Sequence, residues 1–187
     1  MSKSLPERQM TSEEFLAWAQ AQDAGRFELH GGHVVAMSPE RAEHVEVKQN
    51  VFLALRDALR ASSLPCFAYT DGLAVRIDAA TTFEPDAQVV CGEKVSGDAV
   101  ATNNPVIVVE VLSPSTSYTD LGPKVEGYFR VASIQHYLIV DPQTRRIVHH
   151  RRGQGDVLET RIGAQGAMSI DPPGLTLQVE DVFAGLA

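Results

Sequence analysis

The stretch Pro105–Ser117, PVIVVEVLSPSTS, decides how this chain is read. Val106, Ile107, Val108 and Val109, continued by Val111 and Leu112, form a nearly unbroken apolar run. Such a run marks a strand covered on both faces. Glu110 interrupts it. Side chains alternate along a strand, so Glu110 shares its face with Val106, Val108 and Leu112. An ionised carboxylate buried there without a partner costs on the order of several kcal/mol. Something must compensate Glu110.

Asp86, in FEPDAQVV, lies at the mouth of the preceding strand. Carboxylates on neighbouring strands can converge on one point, where they repel unless a cation lies between them. Two carboxylates with water oxygens suit Mg²⁺, and the Val111 carbonyl is a third candidate ligand. Taken alone, Asp86 reads as a strand-entry aspartate after proline, and Glu110 as a strand-end acid reaching solvent or an arginine. Taken together they read as a site. Lys124 is the next piece. It falls within a helical stripe of Leu121, Val125, Tyr128 and Ala132, and Asp120, Lys124 and Tyr128 are spaced four apart. A snorkelling lysine fits that position. So does a lysine aimed at the two acids, holding a water or offsetting transition-state charge. His44 is in register with Val47, Val51 and Leu55, which reads as a buried neutral histidine or a site residue. Glu28, between Phe27 and Leu29, reads equally as a solvent-facing acid or a third carboxylate of the site.

Outward from this centre, the 187 residues suffice for one domain, 1–187, with residues 1–10 as a tail. Apolar residues make up 44% and no apolar run reaches membrane-spanning length. The N-terminus lacks the apolar core of a secretory signal, so the expected location is cytoplasmic. Cys66 and Cys91 match no zinc or disulfide framework and read as reduced, partly buried thiols. A net charge of −8 argues against tight non-specific binding of nucleic acid. A catalytic metal could supply positive charge locally.

The periodicity predicts helices over 11–22, 40–61 and 121–132, with Val45, Phe52, Leu55 and Leu59 on the inner face of the second. The first has a capping box, Thr11 with Glu14. RFELHGGHVVAMS reads as a hairpin, giving an N-terminal helix-hairpin-helix segment. Strands are predicted over 66–69, 73–77, 87–91 and 106–112, and over HYLIVD, RIVHHR, VLETRI and LTLQV. His149 and His150, beside Arg151 and Arg152, read as an exposed basic strand, because strand neighbours point apart and cannot chelate one ion. The sum is an α+β fold, a central mixed, mainly antiparallel sheet flanked by helices.

These pieces resemble the PD-(D/E)XK nuclease superfamily and, more closely, the Uma-type restriction endonuclease family. The residues carrying the likeness are FELHGG (27–32), His44, PDAQVV (85–90), VVEVLSPST (108–116), Asp120, Lys124, Tyr128 and HYLIVDP (136–142). The position two after Glu110, where the superfamily has lysine, holds Leu112, and Lys124 takes that role on the following helix. The resemblance implies a restriction-endonuclease-like core. It implies Asp86 and Glu110 as metal ligands, Lys124 as catalytic lysine, and Glu28 and His44 as supporting residues. The expected function is Mg²⁺-dependent endonuclease action on DNA, with Mn²⁺ able to substitute. Tyr128 would position Lys124 or touch substrate, and a homodimer would cut both strands. A rival expectation is a nuclease-like binding or regulatory module of weak or no activity. A third is hydrolysis of a smaller phosphodiester.

Overall fold

The computed structural model describes residues 5–113 and 117–186, with the side chains of 119–186 in the second span. The strand centred on Glu110, β8 (Pro105–Val111), is the spine of a six-stranded sheet. Its antiparallel neighbour is β6 (Ala87–Cys91), beyond which lies β3 (Cys66–Thr70). Its parallel neighbour is β9 (His136–Asp141), followed outward by β10 (Arg146–Arg152) and β11 (Leu158–Gly163). A parallel pair needs a crossover. Here α3 (Ser117–Asp120) and α4 (Pro123–Arg130) lie on it.

The two faces of β8 serve different layers. Ile107, Val109 and Val111 pack with Val47, Val51, Leu55 and Leu59 of α2 (Ala42–Ala61). Val108 joins Tyr128, Tyr137, Ile139, Val75 and Phe83 on the opposite side. Glu110 has the parity of Val108, so it faces the α4 side.

A second, five-stranded sheet is built from β1 (Phe27–His30), β2 (His33–Ala36), β4 (Ala74–Asp78), β5 (Thr81–Phe83) and β7 (Ala101–Thr102). The strands β12 (Ala167–Ile170) and β13 (Leu175–Gln178) form a third sheet, and α5 (Val179–Val182) follows. The α+β class is as expected, but the single central sheet is not: the strands divide among three sheets. Pattern identifies most strands, whereas β5 and β7, of three and two residues, are too short to show alternation, and β12 is not among the predicted strands.

The first helix, α1 (Ser12–Gln20), has the expected capping box. The amide of Glu14 donates to Thr11 Oγ1 at 3.2 Å, and the Thr11 amide to Glu14 Oε2 at 2.9 Å. Other expectations need correction. The inner face of α2 is Val47, Val51, Leu55 and Leu59, while Val45 is 39% exposed. The helix α4 starts at Pro123, which leaves Leu121 outside it and 54% exposed; its buried residues are Lys124, Gly127 and Tyr128. Gly127 is needed there, because a Cβ on it would lie 2.5 Å from Phe83 Cε2. The expected tail ends early. Met10 is buried with Phe15 and Leu16, its amide bonded to the Gly32 carbonyl at 2.8 Å. Cys66 and Cys91 face each other in the β3–β6 register and are joined as a disulfide, not free thiols. No helix among the described residues is long and apolar enough to cross a membrane.

Candidate active site

Acids and bases from β1, α2, α3, α4 and the entry to β6 gather around Glu110 near the end of β8. Asp86 sits just before β6, and its Oδ2 accepts the Val111 amide at 2.7 Å. This bond ties the aspartate across to the strand of Glu110. Glu110 is buried, and its Oε1 accepts from Lys124 Nζ at 2.8 Å and from the Tyr128 hydroxyl at 2.6 Å. Lys124 and Tyr128, one helical turn apart on α4, therefore grip the same carboxylate oxygen. Glu28 enters from the other sheet. Its Oε1 lies 2.9 Å from Lys124 Nζ and accepts the Glu84 amide at 2.9 Å, while its Oε2 lies 2.9 Å from His30 Nε2. Glu28 is therefore buried and not solvent-facing. Asp120 Oδ1 is 3.5 Å from Lys124 Nζ. His44, from the first turn of α2, donates through Nε2 to the Val111 carbonyl at 2.7 Å. That bond fixes the tautomer, since a carbonyl only accepts.

Glu28, His44, Asp86, Glu110, Val111 and Lys124 line one cleft of about 530 Å³, while Tyr128 is buried behind it and reaches it through Glu110. Three residues of the quoted EVLSPST motif, 114–116, lie outside the described residues. Sequence reasoning missed Lys48, which is buried on α2 with Nζ 3.1 Å from Asp86 Oδ1. The signal was present: Lys48 follows His44 by one turn, beside inward-facing Val47 and Val51. Lys48 also reaches Asp71 at 2.6 Å and Glu40 at 2.7 Å. Arg26 extends this network to Glu40, Asp71 and Glu84. The exposed basic strand was a misreading. His149 is buried, with Nε2 2.8 Å from His136 Nδ1, and His150 bonds the Thr160 hydroxyl.

The electrostatics are those of a crowded acid cluster. Burial opposes ionisation of Glu28, but Lys124, His30 and the Glu84 amide hold its carboxyl down to about 2. For Glu110 burial wins over Lys124. With Asp120, Asp86 and Glu28 nearby, its pKa rises well above the usual carboxylate range. Burial also works against the Lys124 charge, yet Glu110, Glu28 and Asp120 hold the ammonium protonated far above the ordinary lysine value. Tyr128 is pushed up by burial and by Glu110, so it remains a hydroxyl donor.

Among the described residues, no group of three His, Cys, Asp or Glu encloses a metal by itself. A small hard ion does not require one, since Mg²⁺ keeps several waters beside one or two carboxylates. The donor chemistry at Asp86 and Glu110 fits that pattern: two carboxylates with the Val111 carbonyl along the same cleft.

The family profile of Uma2, described as "Putative restriction endonuclease", matches residues 12–186. The chain belongs to the Uma2 family. This Uma2 chain is 27% identical to the uncharacterized protein slr1290 of Synechocystis over 188 residues, covering all of this chain and 97% of the relative. A second Synechocystis protein, the uncharacterized sll1609, is 32% identical over 72 residues, 37% of this chain and 41% of that one. In shape, the Uma2 chain is similar to a crystal structure described as a "putative nuclease belonging to DUF820" from Anabaena variabilis. The TM-score is 0.71 at 16% identity, over 94% of this chain and 98% of that one. At that identity the likeness concerns the fold.

Proposed function

We propose that this protein is a Mg²⁺-dependent endonuclease hydrolysing DNA phosphodiester bonds on a restriction-endonuclease-like core. The observation that carries the reading is the convergence of Asp86, Glu110 and Lys124, from the entry to β6, from β8 and from α4, at one cleft. Asp86 and Glu110 would hold the ion, with the Val111 carbonyl beside them; Mn²⁺ has the same ligand preference. A divalent ion, when bound, polarises a phosphoryl oxygen and acidifies a water. Lys124 orients the attacking water and offsets negative charge in the transition state. Tyr128 and Glu28 hold Lys124 and Glu110 in mutual register, which confines the ammonium to the cleft. His44 fixes the Val111 carbonyl from behind.

The lining of the cleft includes Glu40, Glu43, Glu28, Asp86 and Glu110 against Arg41 and Lys124. A phosphodiester approaching that lining is repelled until a cation is bound. The same observation favours a second reading, a nuclease-like binding module with weak catalysis. Cleavage of supercoiled plasmid separates the two. Asp86→Ala and Glu110→Ala are each expected to lower Mg²⁺-dependent nicking at least about a hundredfold while the circular dichroism spectrum stays native. Nicking at the wild-type rate in either variant defeats the endonuclease assignment.

A further inference from the structure

The strand β11 forms one edge of the six-stranded sheet. Among the described residues, the one strand bonded to β11 is β10. Residues 158–162 are all exposed, and the apolar ones are conspicuous: Ile162 is 65% exposed and Val157, just before the strand, 59%. An edge six residues long without proline is a template for another strand. We propose that a second copy of this chain occupies it, in an antiparallel pair with a two-fold axis at Thr160.

The choice of occupant and register follows from charge. With the axis at Thr160, Glu159 lies opposite Arg161 of the partner subunit, and Leu158 lies opposite Ile162 of the partner subunit. Both pairs recur on the other side of the axis, as an isologous contact requires. Opposite charges and apolar pairs directly across an antiparallel ladder stabilise it; like charges destabilise it. Moving the axis to Glu159 or to Arg161 sets that charge against itself. Moving it between residues sets a charge against an uncharged side chain. Self-pairing at Thr160 therefore satisfies both charges and covers Leu158 and Ile162 together. A six-residue edge is a small contact, so association is sought in the micromolar range and above.

Sedimentation velocity on the full chain, from about 1 to 100 µM, tests this. The wild type is expected to pass from monomer to dimer. Arg161→Glu places Glu opposite Glu159 of the partner subunit and should weaken association at least about tenfold. Glu159→Arg should do the same. An equimolar mixture of the two variants should recover association, because the all-acidic edge then meets the all-basic one. Ile162→Asp tests the apolar pair at a side chain too exposed to matter for folding, and should also give monomers. A wild type that stays monomeric throughout overturns the proposal. So does a dimer untouched by Arg161→Glu and Ile162→Asp, or a mixture that associates no better than its components. None of these outcomes depends on nuclease activity.

Discussion

Lys124 and Glu110 touch at 2.8 Å, yet their removal should have unequal consequences. Lys124 is the cation shared by Glu28, Glu110 and Asp120. Lys124→Gln leaves those buried acids uncompensated and should lower stability by about 3 kcal/mol or more. Glu110→Gln removes a carboxyl that burial and its neighbours already disfavour as an anion, and Lys124 keeps Glu28 and Asp120. Stability should then change by less than about 1 kcal/mol, although cleavage is lost. Urea denaturation of the two variants checks the contrast, and equal losses would show the cluster to be balanced differently. The residues of this cluster were largely legible in the sequence, because each is a charge placed where periodicity demands an apolar side chain. Glu110 interrupts a valine run and Lys124 sits on an inward helical face. Lys48 obeyed the same rule, beside the inward register of His44, Val47, Val51 and Leu55, but was passed over. Glu28 was undecidable, since a four-residue strand with one acid looks alike whether the acid faces water or another sheet.

At the scale of elements, two packing points decide how the site is held. Gly127 lets α4 lie on the Phe83 ring and bring Lys124 inward. Gly127→Ala must displace that ring or the helix, and should cost about 1–3 kcal/mol and reduce cleavage with it. A thermal melt and a nicking assay on the same sample check both. The second point is the buried His136–His149 pair joining β9 to β10. Burial holds His136 down to about 4, and burial with the adjoining His136 does the same to His149. Both are depressed below the ordinary value, so the unfolded chain binds their protons at higher pH than the folded one. Their stabilising contribution is complete above about pH 6.5 and is lost as pH falls toward 4, on the order of a few kcal/mol in all. Denaturation midpoints should decline between pH 7 and 4.5, and His149→Asn should flatten that decline. A wild-type midpoint that is level over this range would show the pair to be protonated in the fold. The pair was invisible in the sequence, because which of two adjacent histidines faces inward depends on the strand's partners. The long strands and the capped first helix were readable from local pattern alone.

At the scale of the molecule, the sequence implied one central sheet, and the described residues form three. The error was one of pairing, which depends on contacts distant along the chain. The division matters for the site. Glu28 belongs to the five-stranded sheet and Glu110 to the six-stranded one, and Lys124 bridges them. A cation that binds only the folded arrangement stabilises it by mass action. Millimolar Mg²⁺ should therefore raise the melting temperature by several degrees, and Glu110→Ala should abolish the shift, as scanning calorimetry can show. No metal response in the wild type would favour the binding module. The bridge has another consequence. The ionic cluster in the cleft is also the bolt between two halves of the architecture, so occupancy of the cleft and cohesion of the protein are one equilibrium. A ligand that draws Lys124 away from its acids would loosen the seam, and amide exchange would accelerate in β1, which carries Glu28, and in β5 beside it.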